Sequence, residues 1–165
     1  MLAGVLHASP AYHQEEVHVK TYKASAIIRA DAAAIWNRLV DVAAWPSWNP
    51  TVEKCEGRAA AGARVVIYPA NMGGRAFPVQ VAECVPRERL VFVGGMPLGL
   101  FRGTRTFTLT SAGPGAFEVT TGETFTGLLA PLITRVMPDL QPSFDAFVQA
   151  LKKASESPGA DVRAA

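Results

Sequence analysis

Cysteine, histidine and charge are all scarce in this chain, and each shortage removes a class of function. Cys55 and Cys84 are the only two cysteines in 165 residues. They stand far apart and outside any CxxC or Cys/His ligand spacing, so they read as reduced core thiols rather than a disulfide framework or zinc site. His7, His13 and His18 are the only histidines, and all precede the expected core, so a histidine metal site would need this end to fold back. No metal and no cofactor is expected. The 16 basic and 14 acidic residues leave a net charge of +2 and are scattered, which supplies no basic stripe to displace counterions from a nucleic acid. No apolar run approaches the roughly 18 residues that span a bilayer, and MLAGVLHASPAYH lacks the basic start and apolar stretch of a secretory signal. The expectation is a cytoplasmic protein with no transmembrane segment. No phosphate loop and no Ser–His or Cys–His pairing can be assembled either.

What is plentiful is apolar matter: 49% of the residues are hydrophobic and only 18% charged, against roughly 25% charged in ordinary domains. The length suits one domain with a sizeable core, here placed at 17–156 between a flexible segment 1–16 and a disordered tail 157–165. VHVKTYKASAII reads as a strand with one buried face. Asp31 stands at a helix N-cap, and Ile35, Trp36, Leu39 and Val40 recur at helical spacing, predicting a helix from Ala32 to about Ala43 that Pro46 ends. VEKCEG, ARVVIYP, FPVQVAECV, RLVFVGG, FRGTRTFTLT and AFEVTTGETFT then read as strands, joined by the tight connectors NMGG, VPRE, GMPLG and SAGPG. Short consecutive links imply antiparallel pairing, giving seven strands in a sheet large enough to curl. Leu129, Leu132, Ile133, Val136, Leu140, Phe144, Phe147, Val148 and Leu151 form one apolar stripe, a long helix kinked or split by Pro138 and Pro142. The economical α+β arrangement wraps the curved sheet around that helix, and the two diverge at one end to leave a pocket.

In this order the elements carry ADAAAIWNRLVDVAAWPSWNP, FRGTRTFTL, TTGETFTGLL and FDAFVQALKKASE. The set resembles the SRPBCC superfamily of START-like, birch-pollen-allergen-like helix-grip proteins, polyketide cyclases and dehydrases among them, over about Val17 to Glu156. The resemblance implies a seven-stranded helix-grip fold, with short helices between strands one and two that close one end of a cavity. WPSWNP would then be the corner that returns the chain into the second strand. Physics agrees: Pro46 and Pro50 hold Trp45 and Asn49 out of helix, and two indoles supply large buried area. The corner is either pure core or a place where Trp36 or Trp48 lines the cavity.

A hairpin at SAGPG pairs residues whose numbers sum to 228: Leu109 with Val119, Phe107 with Thr121, Arg105 with Glu123, Gly103 with Phe125. Alternation sorts these onto an apolar face and the threonines onto the other. Arg105 and Glu123 therefore point inward among phenylalanines, where an unpaired charge costs several kcal/mol and a charge-assisted pair is the expected outcome. That pair either holds register or marks a site. Tyr68 at a pocket rim, a solvated Arg75 and a solvated Glu83 at the edge of the Phe77, Val79, Val81 face are weaker candidates. GGMPLGLF and GLLAPL read as two lips of the mouth, or as plain connectors.

Two functions follow, and a third resembles the co-chaperone branch of the superfamily. The first is a carrier or sensor of a hydrophobic or amphipathic small molecule, in a cavity lined by Val79, Val81, Phe107, Phe125, Phe144 and Phe147 and anchored by Arg105. The second resembles polyketide cyclases and dehydrases, with Glu123 as base and Arg105 polarising an oxygen. A carboxylate beside a permanent cation should have a lowered pKa and be a poor base, so binding is preferred. The co-chaperone reading needs an apolar patch on the convex face, which the sequence writes in threonine.

Overall fold

The WPSWNP corner is tied to the helix before it. The computed structural model describes residues 20–157. The expected segment 1–16, the strand start at 17–19 and the tail from 158 onward lie outside the described residues. Helix α1 (Ala32–Val40) opens as expected, with the Asp31 carboxylate accepting from the Ala33 N–H at 2.9 Å. It stops at Val40, short of Ala43, and a 3₁₀ turn (Val42–Ser47) with Pro46 inside it follows. Proline therefore does not terminate α1. The break comes at Asp41, whose ψ of 71 leaves the helical region while its N–H still donates to the Asn37 carbonyl. The last carbonyls of a helix need donors from elsewhere, and Trp45 supplies one: its indole N–H is shared between the carbonyls of Arg38 at 3.1 Å and Leu39 at 3.2 Å. Asn49, also buried, closes the corner by accepting from the Thr51 N–H and hydroxyl at 3.0 and 2.8 Å.

The strands are β1 (Thr21–Ile28), β2 (Val52–Glu56), β3 (Arg64–Pro69), β4 (Phe77–Val85), β5 (Arg89–Gly95), β6 (Arg102–Gly113) and β7 (Ala116–Thr126). All seven form one curved antiparallel sheet in the order β1-β7-β6-β5-β4-β3-β2. Helices α2 (Ala130–Val136) and α3 (Gln141–Glu156) follow, and α3 lies in the concave face, an α+β helix-grip fold. The β6–β7 register is the one the symmetric hairpin demands, with Leu109 opposite Val119 and Arg105 opposite Glu123. Strand β1 is an edge, and an edge exposes unpaired backbone groups. Helix α3 covers them: Gln141 donates to the Lys23 carbonyl at 2.9 Å, Lys152 to the Ile27 carbonyl at 2.6 Å, and Glu156 accepts from the Arg29 N–H at 2.8 Å.

Two features depart from the sequence pattern. The β4–β5 register slips between Val81 and Glu83, so Cys84 returns to the inner face opposite Leu90 while Glu83 turns outward and pairs with Arg89 at 3.1 Å. One extra residue in a strand inverts every later side chain. The terminal helix is not one kinked rod either. It breaks completely over 137–140, with Pro138 in the break and Pro142 in the first turn of α3. The apolar stripe expected to be continuous splits with it: Phe144, Phe147, Val148 and Leu151 of α3 are buried, whereas in α2 only Ala130 is.

Trp45 sits at the centre of the filled core, its ring 5.2 Å from Phe147, 5.9 Å from Phe107 and 6.1 Å from Phe92, centroid to centroid. Replacing Trp45 by Phe keeps much of the ring contact but strands two helix-end carbonyls. Denaturant unfolding is expected to show a loss of about 1–3 kcal/mol for Trp45→Phe and about 3–5 kcal/mol for Trp45→Ala. Losses well under 1 kcal/mol for both would mean that the corner does not tie the fold.

Candidate functional site

The concave face divides into a packed half and an open half. Strand alternation puts Val65, Val81, Leu90, Phe92, Phe107, Leu109 and Val119 inward, and every one is buried. Toward the ends of β3 to β6 the next inward positions, Ile67, Val79 and Phe77, are only half-buried, as are Phe101 before β6 and Met137 and Leu140 between the helices. The wedge between sheet and helix therefore fills with aromatic rings at one end and stays accessible at the other.

Arg105 and Glu123 stand at the boundary between these halves, directly opposite each other and both half-buried. They do not form the expected ion pair: among the described residues the Arg105 guanidinium has no carboxylate within 4.0 Å. It swings instead toward α3 and lies over rings, 4.4 Å from the Phe144 centroid and 5.1 Å from those of Phe107 and Phe147. Desolvated cation–π contacts contribute about 2 kcal/mol or more, so the rings do part of what a carboxylate was expected to do. Its one side-chain hydrogen bond among the described residues runs from Nε to the Thr121 hydroxyl, at a long 3.4 Å. The terminal nitrogens are not among the enclosed, unpartnered atoms of the described residues.

Glu123 turns the other way, over Gly103. A Cβ on Gly103 would stand 2.9 Å from the Glu123 Oε1 and 3.2 Å from the Phe125 ring, so only glycine leaves the carboxyl its place. Burial pushes the Glu123 pKa up, and nearby Arg105 only partly offsets this. That reverses the expectation of a lowered value, because the expected direct contact with Arg105 is not made. Burial likewise lowers the Arg105 pKa, with Glu123 opposing.

The remaining predicted residues fall into two groups. Phe107, Phe147 and Val81 are buried in the packed half, Phe107 and Phe147 against each other and Trp45; Trp36 is buried in the same core from α1. Phe125 and Phe144 are buried as well, Val79 is half-buried, and Trp48 packs on Trp45 and Phe147 at 6.1 and 5.5 Å. Phe125 stacks on half-buried Phe101 at 5.5 Å, and Phe144 stacks at 5.7 Å on Tyr22, an inward residue of β1 that sequence reasoning did not single out. Trp48 is half-buried, and its indole N–H, like the Asn49 side-chain amide, is enclosed without an acceptor. Tyr68 is not at the hollow: it faces outward beside Lys54, its hydroxyl 3.5 Å from Glu56. Arg75 is exposed and Glu83 is outward. Both cysteines are free, and burial pushes the Cys55 thiol up to about 11, which leaves it unreactive.

A cleft of about 580 Å³ does not contain Arg105 or Glu123. It combines outward Pro78, Gln80, Val93 and Arg102 with inward Val79 and with Gly94, Met96 and Phe101, and so lies at the ends of β4 to β6. A groove of about 230 Å³ runs over the convex face among Thr21, Thr104, Thr106, Thr108, Thr120 and Thr124. The buried charge is the better guide to chemistry, since clefts on an outer sheet face need only strand curvature. Among the described residues no three His, Cys, Asp or Glu side chains gather to hold a metal ion.

The raised Glu123 pKa has a pH consequence with a definite sign. Folding favours the protonated carboxyl, so this contribution is fully present below the ordinary value of 4.5 and is lost as pH rises through the higher folded value. Glu123→Gln removes the ionisation. In denaturant titrations over a pH series, the stability of the variant relative to wild type is expected to be flat below about pH 4 and to grow in its favour above that. A difference that shrinks with rising pH would contradict the desolvated carboxyl.

Comparison with known proteins gives the same architecture. A family model described as polyketide cyclase/dehydrase and lipid transport matches residues 20–156. No curated protein matches the sequence. Among solved structures, the Zhui aromatase/cyclase from Streptomyces sp. R1128 superposes with a TM-score of 0.66 at 12% identity, over 84% of this chain and 94% of that one. A START superfamily protein from Mycobacterium smegmatis gives 0.62 at 15% identity, over 82% and 97%. The hypothetical protein jhp0584 from Helicobacter pylori gives 0.69 at 14%, over 94% and 99%. At such identities the structures speak for the fold alone, and the family match covers most of the chain: it belongs to the polyketide cyclase/dehydrase and lipid transport family of the SRPBCC superfamily.

Proposed function

We propose that the protein holds an apolar small molecule bearing an anionic or strongly accepting group in the open half of the grip, as a carrier or sensor, with that group on the Arg105 guanidinium. The observation that carries this reading is a half-buried cation braced by three rings, with a single long hydrogen bond and no carboxylate within 4.0 Å among the described residues. A buried cation without an acceptor is a cost unless something completes it. A guanidinium offers a planar, two-pronged donor to a carboxylate or similar group. Val79, Phe125 and Phe144 supply apolar wall beside it, with Trp48 at the side, while Trp36, Val81, Phe107 and Phe147 brace the wall from behind. Mostly apolar lining with one or two directed polar groups is the usual make-up of such sites.

The test uses a pair of dyes, 1-anilinonaphthalene-8-sulfonate and the uncharged N-phenyl-1-naphthylamine. A hydrogen bond to a charged group contributes about 1.5–3 kcal/mol, so Arg105→Gln is expected to weaken the sulfonate at least tenfold and leave the neutral dye nearly unchanged. Arg105→Lys, with circular dichroism to verify folding, keeps the charge and should fall between. Equal loss of both dyes, or of neither, removes Arg105 as the anchor.

The raised Glu123 pKa favours a second reading. A desolvated carboxyl whose pKa is raised is a fitter proton donor and acceptor than an ordinary carboxylate, which lifts the objection drawn from a lowered pKa. The family match and the similarity to aromatase/cyclases support supplying a polyketide-like substrate. In a cyclase, Glu123 would move protons at the carbon that closes the ring and Arg105 would hold the enolate oxygen. Glu123→Gln should then abolish cyclisation with the dissociation constant little altered; undiminished turnover excludes Glu123 from the chemistry.

A further inference from the structure

The mouth of the grip carries apolar side chains that nothing in the fold uses. Leu98 is 96% exposed, Leu128 81%, Val136 79% and Leu132 65%, with Met96 also exposed. They belong to two segments that touch. The Leu129 N–H donates to the Leu100 carbonyl at 2.8 Å, and a Cβ on Gly127 would strike the carbonyls of Gly99 and Leu100 at 2.5 and 2.6 Å. The β5–β6 connector and the start of α2 are thus one rim. Leu132 and Val136 are four apart on α2 and share one exposed stripe, and Leu128 is exposed in the turn just before it.

Leu98 adds a second oddity. Its φ of 59 is a left-handed conformation, unfavourable for a residue with a branched side chain. The strained backbone aims an apolar side chain into water, and no contact within the fold rewards it.

Basic residues predominate on this rim, where Asp139 lies near Lys20. The three segments that close this end, 70–76, 94–104 and 127–137, hold Arg75, Arg102 and Arg135 and no aspartate or glutamate. All three arginines are exposed. In a chain with 14 acidic residues against 16 basic ones, that local imbalance sets the electrostatics of the face. A second copy of the chain would bring arginines against arginines. Protruding single leucines, rather than a recessed pocket, are shaped to sink into a soft apolar medium, and a basic ring around them matches an anionic surface.

We propose that this rim docks on an anionic lipid bilayer, with Leu98, Leu128, Leu132 and Val136 entering the acyl boundary and Arg75, Arg102 and Arg135 lying among the head groups. The docking stands apart from the ligand reading above, although it would set the opening of the hollow against the membrane.

Vesicle co-sedimentation tests it, comparing phosphatidylcholine alone with phosphatidylcholine containing 30% phosphatidylglycerol. The full chain is expected to partition onto the anionic vesicles at least tenfold more strongly than onto the neutral ones, and less so as salt rises. Leu98→Ser with Leu132→Ser, both solvent-facing and so neutral for folding, should lower partitioning at least tenfold; Arg102→Gln should lower it roughly fivefold. Equal sedimentation with both vesicle types, or partitioning that the leucine variant leaves unchanged, overturns the proposal. So does a dimer, seen without lipid by analytical ultracentrifugation, that the leucine variant dissociates, because the rim would then be a contact between copies.

Discussion

Everything in this molecule follows from where aromatic rings stop filling the wedge between a curved sheet and the helix it grips. Trp45 from the corner, Phe92 and Phe107 from the sheet and Phe147 from α3 meet in edge-to-face and tilted pairs and close one half. Each fully buried ring contributes about 1.5–3 kcal/mol, and together they fix the angle at which α3 lies. Beyond them the sheet and helix separate faster than side chains can follow, so the open half is a consequence of curvature rather than of any missing residue.

Arg105 sits where the packing ends, and its surroundings decide its state. Glu123 opposite has room over Gly103 and takes it, so the two charges are neighbours without being bonded partners. The result is a cation braced by rings on one side and open on the other, beside a carboxyl that burial holds toward its neutral form. Either property alone is structural; side by side they are what the proposed ligand reading rests on. The family match and the superposed structures place this geometry in a helix-grip fold.

Much of this was legible in the sequence because strand alternation and hairpin symmetry are rigid rules. The SAGPG link fixed which residues oppose each other, and Asp31 fixed where α1 begins. The bulge in β4 was not legible, because an extra residue leaves the apolar pattern of Phe77, Val79 and Val81 intact and acts only afterward, on Glu83 and Cys84. Nor was the fate of Leu132 and Val136, since a helical stripe reads the same whether a sheet or a foreign surface covers it. The sequence placed Arg105 opposite Glu123 but could not choose between a carboxylate and phenyl rings as its support. That choice depends on χ angles and on the approach of α3, and the direction of the Glu123 pKa shift followed from it. Tyr22 passed unnoticed because its importance comes only from the ring of Phe144, contributed by a helix more than a hundred residues later.

The central claim is that the open half of the grip is a receptor with Arg105 at its floor. Native mass spectrometry of the protein as expressed, wild type beside Arg105→Gln, tests it most directly. The account predicts a released small molecule, apolar with an acidic or carbonyl group, from the wild type and its loss from the folded variant. The same bound mass in both proteins would contradict it.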